Sequence, residues 1–314
     1  MTLKRMPLLV RMPNWVGDAC MAIPALDALG QAGFDCQLLG KGWLASLMAG
    51  LDLPCIKLAG RQAVTQLRAL GIARGLLLTN SLSSALACRR AGIETIGYAA
   101  ELRSPLLTQA ITKPTGKHEA QYFHALARHA EQLWLGRDSL PRETPADITL
   151  PLTPQARHQA DAALAAAELS ADTYLVLCPL AVGTIAGASK VWPQWRELGD
   201  HLSKLGLRSV CCPGPGEADA CRKALPNAVQ LPDLDLGAYV AVMQQARLVI
   251  ANDSGPMHLA SCTSTPVLGI FGPGDPGRTA PWSSHGEHLG GFGAWPDLDA
   301  VRTRAATLLN ATQR

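Results

Sequence analysis

The chain has 314 residues, 48% of them hydrophobic and 17% charged, with a formal net charge of +3. That length is generous for one core and comfortable for two, and the apolar content excludes a disordered chain. The modest charge, with no basic helix carrying interleaved aromatics, argues against nucleic acid as a partner, and no apolar run approaches the roughly 20 residues that cross a bilayer.

Taken in chain order, strands are predicted over 7–12, 36–40 and 75–79, alternating with helices over 16–29, 62–70 and 81–91. The stretch from Arg137 to Pro154, with Pro141, Pro145 and Pro151 between, reads as an interdomain linker. A second block follows. Helices are expected over 155–168, 195–205, 217–224, 236–246 and 257–262, and strands over 174–178, 209–212, 247–251 and 266–271. A last helix is expected over 298–309, after a glycine-rich loop. Strand and helix alternating at this spacing imply right-handed crossovers and parallel, doubly wound sheets, an α/β fold class. The expected layout is two Rossmann-like domains, 1–150 and 151–296, facing across a cleft, with 297–314 crossing back onto the first. No internal repeat is visible in the residues themselves.

The opening segment is too short and too soon interrupted by Pro13 to read as a secretory signal, so a cytoplasmic protein is expected. The nine cysteines are odd in number, scattered and without a Cys-x-x-Cys pair, and read as small buried hydrophobes in a reducing compartment. His285-Gly-Glu-His288 has no helix to aim two imidazoles and no further ligand, so no metal site is expected. Residues 1–150 carry 16 Lys or Arg against 11 Asp or Glu, whereas 151–314 carry 12 against 14. An anionic partner therefore belongs more naturally to the first half, where Arg89, Arg90, Arg103, Lys113 and Lys117 cluster; a solvated face accounts for the same cluster.

The chemistry is expected in turns at strand ends, where open α/β sheets bind ligands. Residues 247–263 run from an apolar strand through Asn252-Asp253-Ser254-Gly255 into a helix, and Asp253, Ser254 and His258 can share one cleft. After the first strand, Asn14-Trp15-Val16-Gly17-Asp18 places a carboxylate in a first helical turn, near the positive end of the helix dipole. Asp18 also reads as an ordinary helix-start residue, but Asn14 and Trp15 beside it tip the balance towards a site; the turn lacks a Gly-x-Gly-x-x-Gly fingerprint. Residues 178–193 form a small-residue loop in which Thr184 and Ser189 offer hydroxyls and Lys190 a compact positive charge, without the ending of a P-loop; Trp192 reads as a packing anchor. In the loop 271–282, Asp275, Arg278 and Thr279 can close over a ligand or simply build a turn.

These residues carry a family resemblance. Pro13-Asn14-Trp15-Val16-Gly17-Asp18, Asn80-Ser81, Gly97-Tyr98, Glu101-Leu102-Arg103, Lys190-x-Trp192-Pro193, Pro213-Gly214-x-Gly216-Glu217, Asn252-Asp253-Ser254-Gly255-x-Met257-His258 and Phe271-Gly272-Pro273 follow one another in the family's order. The chain resembles the bacterial heptosyltransferases of glycosyltransferase family nine, most closely the second lipopolysaccharide-core heptosyltransferases. The resemblance implies a GT-B fold, acceptor on the first domain and nucleotide sugar mainly on the second. It implies an inverting transfer of heptose from ADP-heptose to an anionic lipopolysaccharide core, without metal or cofactor, at the inner face of the inner membrane. Asp18 then aligns with the general base and Lys190 with the residue neutralising the departing diphosphate. Thr184, Ser189, Asp253, Ser254, Gly255 and His258 fall to the donor, and Asn14, Trp15, Asn80 and Arg103 to the acceptor. The chain departs from the family at Pro179-Leu180-Ala181, in a longer loop to Lys190 and at Pro256. A family member with another donor or acceptor and a catalytically silent sugar-nucleotide binder stay open as alternatives.

Overall fold

A computed structural model describes residues 5–57 and 60–311, which divide into two compact units between Pro145 and Ala146. The first unit contains β1 (Met6–Arg11), α1 (Val16–Met21), α2 (Ile23–Ala32), β2 (Phe34–Gly40), α3 (Leu44–Leu47), β3 (Cys55–Lys57) and α4 (Ala63–Ala69). It continues through β4 (Arg74–Leu77), α5 (Leu82–Ala91), β5 (Glu94–Tyr98), β6 (Gln109–Ile111) and α6 (Glu119–Leu135). Its sheet is parallel throughout, in the order β3-β2-β1-β4-β5-β6. The strands have both faces covered, so Leu8-Leu9-Val10 and Leu76-Leu77 form continuous apolar runs with no exposure.

The second unit contains α7 (Pro154–Ala166), β7 (Tyr174–Cys178), β8 (Thr184–Ile185), β9 (Ala188–Ser189), α8 (Trp195–Lys204), β10 (Arg208–Cys211), α9 (Ala218–Ala224) and β11 (Val229–Gln230). It ends with α10 (Leu236–Gln244), β12 (Leu248–Asn252), α11 (Gly255–Ala260), β13 (Val267–Phe271), α12 (Pro276–Thr279), β14 (Gly286–Gly290) and α13 (Leu298–Ala311). Its main sheet, β11-β10-β7-β12-β13-β14, is also parallel. Leaving out the small β8-β9 pair, both units share one winding order, that of dinucleotide-binding sheets. The repeat invisible in the sequence is therefore present in the topology. In each unit the winding reverses beside the central strand, between β1 and β4 and between β7 and β12, which places the ligand crevice at those carboxyl ends.

Several expectations are corrected. The helix foreseen over 16–29 is two helices broken at Ala22, because Pro24 has no N–H for the ladder and its ring would strike the carbonyl of Cys20; it fits only at the start of α2. The second helix then runs on to Ala32, where Gly33 ends it at φ 99°. The longest helix of the first unit, α6, was not foreseen. Its N-cap is His118, whose Nδ1 accepts from Ala120 N at 3.2 Å while Gln121 Oε1 accepts from His118 N at 3.0 Å, a capping box built on an unusual residue. The division between the units falls inside the segment read as a linker, whose two ends are fastened to their own units: buried Glu131 accepts from the Ser139 and Leu140 amides at 3.0 Å, and Leu150 N donates to Cys262 O at 3.2 Å. The terminal helix is counted in the second unit, with Val301, Ala305 and Leu309 in the core around Trp192, Trp195 and Ile250; 312–314 lie outside the described residues.

On α6 the buried His124 and the partly buried His129 have their pKa lowered from the ordinary 6.5, by burial first and by Arg128 second. The unfolded chain then takes up protons before the folded one does, so folding stability is complete above about pH 6.5 and falls as the pH drops below it. His124→Leu should flatten that fall in thermal melts between pH 7.5 and 5.5, and an unchanged slope in the variant would remove His124 as the cause.

Candidate functional site

In the second unit the site is built around Asn252, the last residue of β12 and without solvent exposure. Its Oδ1 accepts from the Trp192 amide at 3.0 Å and from Trp195 Nε1 at 3.1 Å, while Nδ2 donates to the Pro179 carbonyl at 2.7 Å. A buried primary amide must satisfy both its donors and its acceptor, and here it does so by joining the carboxyl end of β7 to the loop that carries Lys190. Trp192 is sealed in the core, edge-on to Trp195 at 5.7 Å, with Nε1 donating to Pro296 O at 3.0 Å. Lys190, two residues upstream, is held by this anchor.

Asp253 follows Asn252 and is 5% exposed. Lys190 Nζ lies 3.0 Å from its Oδ2, and Thr279 Oγ1 donates to its Oδ1 at 3.4 Å. Gly274 brings the loop after β13 so close that a Cβ there would stand 2.6 Å from Oδ2. Ser254 is the N-cap of α11, its hydroxyl donating to Asn252 O at 3.1 Å instead of accepting from a helix amide. Gly255 opens the helix, and Pro256 sits in the first turn, where a missing N–H is harmless, so this departure from the family leaves the helix start in place. His258 is buried on α11. The structure thus brings together Lys190, Asp253, Ser254 and Gly255 at the point where the second sheet's winding reverses.

Thr184 and Ser189 are placed differently from expectation. Instead of an irregular phosphate loop, they face each other across the antiparallel pair β8-β9, exposed to solvent. Ala186 and Gly187 both have positive φ, 49° and 81°, the twist of a two-residue hairpin turn. The Ser189 hydroxyl accepts from Val191 N at 3.1 Å. The extra residues of this loop are therefore a projecting hairpin whose last strand leads into Lys190.

In the first unit Asp18 lies in the first turn of α1, half-buried, beyond the carboxyl end of β1. Trp15 is the N-cap, 60% exposed, with Lys41 Nζ 5.4 Å from its ring centroid. Asn14 Oδ1 accepts from Arg11 Nη2 at 2.6 Å, and Arg11 Nε donates to Ser84 Oγ at 3.2 Å. Arg11, which the sequence reading passed over, is buried, and that burial pushes its pKa down. Its signal was present in the residues: one arginine in an otherwise apolar strand must have inward partners.

Arg103, expected on the acceptor surface, has no exposure at all. Its guanidinium donates to Tyr98 O at 2.8 and 3.0 Å, to Asn80 Oδ1 at 3.3 Å and to Thr79 O. Gly97 leaves the room: a Cβ there would meet Arg103 Nη2 at 3.0 Å. Arg103 clamps the turns after β4 and β5 and orients Asn80. The basic cluster also separates in space. Arg89 and Arg90 end α5, which as a crossover helix runs against the strands, whereas Lys113 follows the carboxyl end of β6, paired with Glu119 at 3.1 Å and 4.0 Å from the Tyr122 ring centroid.

Among the described residues no group of three metal-ligating side chains comes together. His288 packs edge-on to Phe271. The cysteines are free thiols, all but Cys55 buried; burial pushes Cys178 and Cys36 up to about 12 and Cys88 up to about 11, so these three are not nucleophiles.

Residues 47–307 match the profile of glycosyltransferase family 9 (heptosyltransferase). The chain is 37% identical over 109 residues to lipopolysaccharide heptosyltransferase 1 of Pseudomonas aeruginosa, a segment covering 32% of this chain and 30% of that protein. It is 25% identical over 309 residues to lipopolysaccharide heptosyltransferase 2 of Salmonella typhimurium, covering 88% of this chain and 86% of that one. Among solved structures, ADP-heptose lipopolysaccharide heptosyltransferase II of E. coli superposes with a TM-score of 0.81 at 22% identity, covering 98% of this chain and 100% of that one. An E. coli heptosyltransferase solved with ADP gives 0.72 at 19% identity, covering 96% and 100%.

Proposed function

The chain belongs to glycosyltransferase family 9 and is a glycosyltransferase, and on that footing we propose that it transfers heptose from ADP-heptose to the inner core of lipopolysaccharide, with inversion and without a metal. The observation that carries the donor half is the pairing of partly buried Lys190 with buried Asp253 where the second sheet's winding reverses. A departing diphosphate needs positive charge in a water-poor site, and Lys190 supplies it where no metal does. Asp253 accepts hydroxyls of the donor sugar. Ser254 and Gly255 form the same turn, His258 follows on α11, and the hairpin of Thr184 and Ser189 leads directly into Lys190.

Asp18 is the general base. As the acceptor oxygen bonds to the anomeric carbon, its proton passes to Asp18, and the bond from that carbon to the diphosphate oxygen breaks with its electron pair leaving on ADP. The dipole of α1 favours the ionised carboxylate such a base requires. Trp15 offers an exposed aromatic face for a sugar ring, Asn14 beside it is held by Arg11, and Asn80, after the neighbouring strand β4, is held by Arg103. Arg103 acts here through Asn80 and does not itself touch the acceptor. No helix among the described residues is long and apolar enough to cross a membrane, and we propose that the enzyme meets its lipid-anchored acceptor peripherally at the inner face of the inner membrane.

The test is ADP release from ADP-heptose, with and without a Kdo-lipid A core bearing one heptose, in the presence of a chelator. Acceptor-dependent release that survives chelation is expected. Release that needs added metal would sink the metal-free mechanism, and donor binding without release would shift the acceptor assignment.

A further inference from the structure

Lys190 and Asp253 are each other's partner at 3.0 Å, and both side chains are largely withdrawn from water. We infer that this ion pair makes the donor site select the intact nucleotide sugar over the nucleoside diphosphate that the reaction leaves behind, an inference that rests on the donor reading above.

The two partners differ in freedom. Asp253 is fixed: it follows the fully bonded Asn252, its Oδ1 takes the Thr279 hydroxyl, and the backbone at Gly274 closes against its Oδ2. Lys190 is the movable one, an ammonium on a four-carbon stem at the foot of an exposed hairpin. Any diphosphate that recruits Lys190 must draw it from Asp253 or share it. The carboxylate is then left buried with less compensation, next to incoming negative charge, which is the costly arrangement for a buried ion.

A sugar on the distal phosphate changes that balance in two ways. Esterification removes one ionisable oxygen from the phosphate nearest Asp253, and the sugar brings hydroxyl donors to a carboxylate that can only accept. An intact nucleotide sugar therefore satisfies both halves of the opened pair, whereas a diphosphate alone satisfies only Lys190. The selectivity lies in the charge of Asp253 as well as in its contact with sugar, and its consequence is product that leaves more readily than donor.

Isothermal titration of ADP and ADP-heptose into the wild type, Asp253→Asn and Asp253→Ser tests this. In the wild type ADP-heptose should bind at least about tenfold tighter than ADP, a difference of about 1.4 kcal/mol. In both variants ADP should bind tighter than to the wild type, and the ratio should shrink by about tenfold. Equal weakening of both ligands in the variants overturns the inference and leaves Asp253 a structural anchor. A wild-type ratio below about two overturns it without any variant. A wild type that binds neither probe overturns the donor reading itself, and the inference with it.

Discussion

Asp18→Ala is expected to lower turnover by at least roughly 10²–10⁴-fold while leaving the affinity for ADP-heptose nearly unchanged. The side chain stands in the first turn of α1 in the first unit, and the groups assigned to the donor stand in the second. Its loss therefore removes the acceptor of the attacking hydroxyl's proton and little of what holds the nucleotide sugar. Asp18→Asn is the sharper version, keeping the size and a hydrogen-bonding group while removing the basicity. Single-turnover kinetics with donor binding measured separately would distinguish the two contributions. An asparagine variant that turns over at the wild-type rate would show that another group takes the proton, and a variant that loses donor binding in proportion would show that Asp18 holds the donor instead.

Asn252→Ala is expected to destabilise the second unit by roughly 3–5 kcal/mol, because it strands the Trp192 amide, Trp195 Nε1 and the Pro179 carbonyl in a place without water, each at a cost of about 1–3 kcal/mol. For a unit of this size that corresponds to a fall in Tm of about 6–20 °C. Asn252→Asp separates the causes. A carboxylate can still accept from both tryptophans but cannot donate to Pro179 O, and it adds a buried charge, so it should rescue little. Because Lys190 is anchored through Trp192, donor affinity should fall even at temperatures where the variant is folded. Calorimetry together with donor titration reads both effects. A loss of stability below about 0.5 kcal/mol would mean that the three groups find other partners.

The two expectations differ in how they were reached. The place of Asp18 was legible in the residues because it depends on local sequence, a strand followed by a tight turn and a helix start. Asn252 was seen only as one of several capping side chains, because its partners lie 57 to 74 positions away. Arg103 shows the opposite error. A basic residue in a basic stretch suggested a surface for anions, yet Gly97 and the carbonyls of Tyr98 and Thr79 form a socket that takes the whole guanidinium inside. Linear charge density carries no information about which way a side chain turns.

By itself the sequence determined the α/β class, most of the central strands, the family and the strand-to-helix turns at β1 and β12. Those features rest on hydrophobic period and on short runs of turn and capping residues, which act over a few positions. Tertiary structure decided the rest. It recruited the edge strands β3, β6, β11 and β14, which are short or weakly apolar and exist because a neighbouring strand pairs with them. It placed the last helix on the second unit, folded the loop before Lys190 into a hairpin and matched Lys190 to Asp253 across 63 positions of chain. Each of those outcomes depends on long-range pairing or burial, and such energies exist only once the chain has brought distant residues together.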